Sequence, residues 1–389
     1  MDANERRFTE FREELYETFN NRADATMDLI DALCGNLTAA TPVQLSLSPL
    51  FRRQYASLHD AVDNFSMTGN TQSDRTEQQK KLTRVTASQI SKPVTRNFYL
   101  FATDATSQPR QSAKTLRDRG FVYQPNPIKG NKPVTIGHSY SALAGLPEKE
   151  GDMAPPWVIP VSLLRIPTDE KATDVAASLI DALLNDTELP FSEAINVVVG
   201  DTAYSAVTFL SQAAKHDNLV VVVRVRGDRT FYRKPMNAGT QKGKGHPTWF
   251  GEKFFLGDAK TYGTPDETVL ETFTTSRGKI CNVTIMAWRE LMMRGKKNIP
   301  MHKHPFTVLR ITIKDAEGNM VCRKPMWLII FGKHRDEISV KEAYYAYRQR
   351  FDIEHFFRFG KNRLLLDSYQ TPETEHEENW QAIAALAYA

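Results

Sequence analysis

The spacing of apolar and polar positions changes character along the chain, and each change marks a different kind of element. From residue 4 to about 65, apolar residues recur every three or four positions in "ERRFTEFREELYETFNN", "ADATMDLIDALCGN" and, after "LSLSP", "LFRRQYASLHDAVDNF". That spacing predicts amphipathic helices. The stretch "TGNTQSDRTEQQ" (68–79) is polar throughout and reads as a linker or loop. Strand-like runs follow: "RNFYLFATDAT" (96–106), "KPVTIGHSYSALAGL" (132–146) and "PWVIPVSLLRIP" (156–167). A helix, "KATDVAASLIDALLND" (171–186), leads to "INVVVGD" (195–201), and a second, "AYSAVTFLSQAAKH" (203–216), to "NLVVVVRVRGD" (218–228). Hairpin-like strands followed by helix–strand alternation predict an α/β fold, a mixed sheet with helices packed on it.

Between about 229 and 322, short β-type runs such as "KICNVTIMAWREL" and "FTVLRITIKD" are broken by Gly, Pro and Lys loops, which predicts a β-rich insertion. "MWLIIFG" (326–332) reads as a last core strand. The strongly helical "YAYRQRFDIEHFFRFGKNRLLLDSYQTP" (345–372) comes next. At about 100° per residue, with Tyr347 as origin, Arg350, Glu354 and Lys361 fall at roughly −60°, −20° and −40°. These four polar groups share one narrow stripe beside an apolar one of Ala346, Ile353, Phe357 and Leu364. A carboxylate flanked by cations on the rim of a core suits a metal ion and a phosphate chain. A solvated charged face with i,i+4 pairs such as Arg350–Glu354 fits the same pattern.

Composition is that of a globular protein, with 41% hydrophobic and 25% charged residues in 389, enough for two or three parts. No apolar run is long enough to span a bilayer, and the start "MDANERRFTEF" lacks a signal-peptide apolar region. Cys34, Cys281 and Cys322 lie far apart without a CxxC, so neither a zinc site nor a disulfide framework is expected, and a reducing cytosol is the default setting. The net charge of +4 says less than its distribution. Arg110 to Lys132 holds six Lys/Arg against one acid, and Arg224 to Lys260 nine against three, whereas Glu148 to Glu188 holds nine acids against three bases. Segregated basic blocks favour a polyanionic partner.

Two acids stand where apolar strands give out: Asp104 after "NFYLFAT" and Asp201 after "NVVVG". Carboxylates at strand ends beside a helix carboxylate can ligate hard cations, and two such ions about 3.5–4 Å apart clamp the attacking and leaving oxygens of an in-line displacement. An acid after a strand is equally a turn starter or helix N-cap, a reading open for Asp201 before "TAYSAV".

Taken together, Tyr347, two residues, Arg350, three residues, Glu354, six residues and Lys361 resemble the YREK signature of bacterial insertion-sequence transposases with a DDE active site. "FATDATSQPR" resembles the first-aspartate region and "VVVGDTAYS" the second, and "GHSYSALAGLPEKE" and "LLLDSYQTPETEHEENW" also resemble family sequence, over roughly residues 94 to 389. The resemblance implies an RNase H-like mixed sheet flanked by helices, with Asp104, Asp201 and Glu354 holding two Mg²⁺ or Mn²⁺ ions. It implies that Tyr347, Arg350 and Lys361 bind DNA backbone or terminal phosphate. It further implies a homodimer on paired double-stranded element ends, in the bacterial cytosol or nucleoid, which cuts and joins a 3′-hydroxyl to target DNA. The corresponding division is a helical N-terminal DNA-binding region (1–92), the core in two parts (93–228 and 323–389) and the β-rich insertion (229–322).

Trp249 and Trp288 lie in that insertion, where related transposases hold an unstacked base against an aromatic ring; packing in a small core of the insertion explains either equally well. "GTQKGKG" (239–245) lacks P-loop spacing and reads as a DNA-contacting or a merely solvated loop. His302 and His304 have no companion at metal spacing and read as surface residues, and His355 points to another helix face. Arg52 and Arg53 are candidates for end recognition, without a sharp helix-turn-helix pattern. "WQAIAALAYA" stops in mid-helical pattern where relatives usually continue, which implies a shortened product. Two rival functions remain: an RNase H-like nuclease without strand transfer, and a non-catalytic, transposase-derived DNA-binding protein.

Overall fold

The computed structural model describes residues 2–65, 72–124, 133–149, 151, 154–235, 249–275 and 277–389. Its strands are β1 (Phe98–Pro109), β2 (Gly120–Tyr123), β3 (Val134–Gly145), β4 (Ile159–Ile166), β5 (Ile195–Gly200) and β6 (Leu219–Val225). They continue with β7 (Thr230–Tyr232), β8 (Lys253–Phe255), β9 (Glu267–Thr274), β10 (Ile280–Leu291), β11 (Phe306–Asp315) and β12 (Met326–Phe331). Helices α1 (Ala3–Thr18), α2 (Ala23–Cys34), α3 (Pro42–Leu45), α4 (Tyr55–Asp63) and α5 (Gln72–Ser88) precede the sheet. Helices α6 (Ala172–Leu184) and α7 (Val207–Ala213) alternate with strands, and α8 (Val340–Gln349), α9 (Asp352–Arg363) and α10 (Thr374–Leu386) close the chain.

The valine runs of β5 and β6 pair in parallel and are buried on both faces, as a continuous apolar strand requires. β1 lies parallel to β5, and β3 and β4 add antiparallel on its other side, so the core order is β4-β3-β1-β5-β6. This is an RNase H-like sheet. β12, β11, β10 and β9 then continue the same sheet antiparallel from β6, while β7 and β8 pair as a separate small hairpin. The residues read as a β-rich insertion thus contribute three strands to the central sheet itself.

Alternation along the strands sorts side chains onto two cores. On one face Leu100, Ala102, Val197, Val199, Val220 and Val222 pack with Tyr344, Ile353 and Trp380 of the C-terminal helices, and α2 and α4 join the same core through α10. On the other face Phe101, Val198, Val221 and Val223 pack under α6, α7 and the β7–β8 hairpin. No described helix is long and apolar enough to cross a membrane.

Two element expectations are corrected. Residues 72–79 are helical, part of α5, rather than loop; buried Gln78 donates to the Thr18 carbonyl at 2.5 Å and so ties this polar helix to α1. Residues 68–71 of the same stretch lie outside the described residues. The helix expected over 50–65 begins only at Tyr55, because Arg52 and Arg53 turn towards buried Asp28, at 2.6 and 3.2 Å.

Candidate active site

Register sets two of the three acids side by side. β1 and β5 pair up to Ala102 and Val199, so two residues further along each strand come Asp104 and Asp201. Both side chains follow the parity of Leu100–Ala102 and Val197–Val199, and therefore leave the sheet on the face that α8 and α9 cover. Neighbouring strands are about 4.8 Å apart, which brings the two carboxylates together. Asp104 is not at a strand end as its sequence context predicts: β1 runs on to Pro109, paired with β3 alone, and Asp104 comes two residues after the last pair with β5. Asp201 caps the 3-10 turn Thr202–Ser205, accepting the Ala203 amide at 2.8 Å. The capping reading and a site role therefore coexist in one residue. Gly200 has no room for a side chain, since a Cβ would meet the Tyr204 ring at 2.7 Å. The packed ring holds the turn that aims Asp201.

The helical segment is two helices, broken at Arg350–Phe351. The Ile353 and Glu354 amides reach back three residues, to the carbonyls of Arg350 and Phe351, at 3.1 and 3.2 Å. The tightened turn keeps Arg350 and Glu354 on one side. Arg350 Nη1 donates to Asp104 Oδ2 at 2.9 Å and its Nη2 to Glu354 Oε1 at 3.1 Å. One guanidinium thus joins the sheet carboxylate to the helix carboxylate. Burial pushes the Asp104 carboxyl above its ordinary range, and the charges of Asp201 and Glu354 add to that, while the Ala105 amide and Arg350 oppose it.

The other polar residues of the stripe are engaged within the protein. Tyr347 is 2% exposed; burial raises its pKa, whereas the charges of nearby Arg350 and Arg224 lower it. Lys361 Nζ donates to the Ser107 carbonyl at 2.6 Å, tying α9 to β1, and burial holds its pKa below the usual lysine range. The two tryptophans part company. Trp288 is 1% exposed, packed among Phe254, Tyr262 and Trp327, which leaves no ring face for a base. Trp249 is 41% exposed and stacks on His302 at 4.1 Å, so His302 is not a free surface residue. "GTQKGKG" lies outside the described residues.

Among the described residues no three His, Cys, Asp or Glu side chains are grouped closely enough to hold a metal ion as they stand. The donor set nevertheless fits a hard divalent cation, because all three candidates are carboxylates. Arg350 supplies positive charge between two of them.

The RNase H-like sheet thus brings a pair of aspartates to one edge, beneath a helix that carries a carboxylate. The model of the DDE superfamily endonuclease family matches residues 14–294, and the chain belongs to that family, which places it among DNA-acting enzymes of the nuclease and transposase type. The match takes in Asp104 and Asp201 and ends before Glu354. No curated protein matches the chain.

A buried polar group behind the site escaped the sequence reading. Glu377 of α10 is 0% exposed and accepts from Arg110, from His138 Nδ1 at 2.9 Å and from the Tyr140 hydroxyl at 2.8 Å. The other ring nitrogen of His138 faces the Arg117 carbonyl at 2.9 Å. Both of its partners can only accept, so both nitrogens donate and the ring is an imidazolium. The signal was present: Glu377 shares a helix stripe with Trp380 and Ala384, an acid where a core residue belongs.

Proposed function

We propose that the chain is a transposase of the YREK branch, which binds the ends of its element as double-stranded DNA, cuts there and joins the freed 3′-hydroxyl to target DNA. The single observation behind this reading is the register that levels Asp104 with Asp201, with Glu354 linked to Asp104 through Arg350. Asp104, Asp201 and Glu354 would hold two Mg²⁺ or Mn²⁺ ions. Bound there, such ions supply charge that activates the attacking oxygen and stabilises the leaving one.

The chain's own residues account for the rest. Without a cation, Arg350 neutralises Asp104 and Glu354 and keeps the acids from spreading apart. Once released from them, it can fork onto a phosphate, a geometry guanidinium favours. The Tyr347 hydroxyl, under the influence of Asp201 and Arg350, orients groups at the same edge. Lys361 places a positive charge on the β1 side, next to the strand that carries Asp104. Trp249, with one ring face on His302, offers a partner for an unstacked base. The division into an N-terminal DNA-binding region, a two-part core and an insertion, a homodimer on paired ends and a cytosolic setting belong to the same reading.

The test uses a duplex carrying the inverted repeats that flank the gene, with Mg²⁺ or Mn²⁺ and a supercoiled target plasmid. The wild type should cut at the repeats and join them to the plasmid. Glu354→Gln, which keeps shape but removes charge, should bind and not cut. Undiminished cutting by that variant overturns the mechanism; cutting without joining supports the nuclease reading, and binding without cutting by the wild type supports the binder.

A further inference from the structure

The row of functional side chains does not end at the two aspartates. β5 and β6 pair up to Gly200 and Val223, so the next residue on each strand brings Arg224 level with Asp201, as Asp201 is level with Asp104. Arg224 follows the parity of Val220 and Val222, which face the core beneath the C-terminal helices. Three adjacent parallel strands therefore end their apolar stripes in an acid, an acid and an arginine: Leu100–Ala102–Asp104, Val197–Val199–Asp201, Val220–Val222–Arg224.

Arg224 differs from the two cations of the helical stripe. Arg350 is held by two carboxylates and Lys361 by a carbonyl. Arg224 is exposed and makes no ion pair among the described residues, although Asp201 is its neighbour on the next strand. Its charge nevertheless reaches the Tyr347 hydroxyl, which fixes it on the site's side of the sheet. An uncommitted guanidinium, rigidly mounted on a buried strand about two strand spacings from the first aspartate, is placed to take an anion lying along the carboxylate row.

We infer that Arg224 is a positioning residue that grips a backbone phosphate of the DNA strand and aligns it with Asp104, Asp201 and Glu354. This rests on the proposed reading of those carboxylates as the cutting site. The side chain supplies binding and alignment and takes no part in bond making or breaking.

The experiment measures binding of a fluorescently labelled mixed-sequence duplex with one recessed end across a salt series, with Ca²⁺ in place of Mg²⁺. Cutting with Mg²⁺ and melting curves are measured in parallel. For Arg224→Gln, loss of one phosphate contact should lower the salt slope by about 0.9 and the affinity by about eightfold at 0.1 M salt. The melting temperature should stay at the wild-type value, since the side chain is exposed and unpaired. Arg224→Lys should restore most of the slope but less of the cutting, because an ammonium returns the charge without the planar fork. A salt slope and affinity equal to wild type in Arg224→Gln overturn the inference while leaving the cutting site intact. If Arg224→Gln melts early, the Lys variant decides, and wild-type cutting by it overturns the alignment role. Wild-type protein that binds no DNA removes both this inference and the function it rests on.

Discussion

Lys361 has a structural contact in the fold and, under the proposed function, a second one with DNA. Its ammonium is half-buried against the Ser107 carbonyl, on the edge of α9 that the proposed function turns towards DNA. Lys361→Ala should therefore do two things. Losing a phosphate contact should lower the salt slope of DNA binding by about one unit. Losing a charged hydrogen bond between α9 and β1 should cost about 1.5–3 kcal/mol of stability. A purely solvated lysine predicts neither effect, and a purely structural one only the second. Binding across a salt series together with denaturant unfolding separates the three cases. Arg350, Asp104 and Glu354 form a tighter unit, in which any single change alters the other two.

At the scale of elements, α10 is fixed to β3 and to Arg110, just past β1, by the buried Glu377 cluster rather than by apolar contact alone. Removing the charge in Glu377→Gln leaves Arg110 and the His138 imidazolium uncompensated and should cost about 3–5 kcal/mol. The pH dependence has a defined sign. Burial alone would lower the pKa of His138; Glu377 and the Arg117 carbonyl overcome it and raise the value. A raised folded pKa gives stability that is complete below the ordinary histidine pKa and fades as pH rises through the folded value. Burial alone would raise the pKa of Glu377; His138 and Arg110 outweigh it and depress the value, so its contribution fades only as pH falls through that depressed value. Stability should thus decline as pH rises from the ordinary histidine pKa through the raised folded value in the wild type, and His138→Gln should flatten that limb of a melting-temperature profile. A profile unchanged by the substitution would contradict the imidazolium assignment.

For the whole molecule, the concentration of carboxylates at one edge of the sheet is a cost that a divalent ion can relieve. Asp104 is held above its ordinary pKa by burial and by its acidic neighbours, so in its ionised form it weighs against the folded state near neutral pH. Mg²⁺ or Mn²⁺ that binds the folded chain should stabilise it by about 2.7 kcal/mol at a hundredfold excess over its dissociation constant. This should appear as a rise of melting temperature with ion concentration, beyond that produced by NaCl at equal ionic strength. Asp201→Asn should abolish the rise. An equal rise in that variant would place the ion elsewhere on the protein.

Much of the architecture was legible because periodicity is a local property. The valine runs of β5 and β6, the apolar stripe of α6 and the strand "MWLIIF" each declare their burial within a few residues. The candidate acids were legible for a related reason, since a charge that interrupts an apolar run stands out against it. The spacing from Tyr347 to Lys361 was readable as one helix face, although the helix proved to be two. Other features depend on partners distant in sequence. That 72–79 is helical rests on contacts with α1, and that Trp288 is a core residue rests on Phe254, Tyr262 and Trp327. The joining of β9, β10 and β11 to the central sheet is likewise a matter of which edge hydrogen-bonds to which. Arg224 is the clearest case. In "VVVVRVRGD" it is one basic residue among several, and only strand register, which no local pattern encodes, sets it in line with Asp104 and Asp201. Sequence alone determined which side chains are apolar, charged and periodic; tertiary structure decided which of the charged ones meet, because pairing across strands joins residues that the chain itself keeps a hundred positions apart.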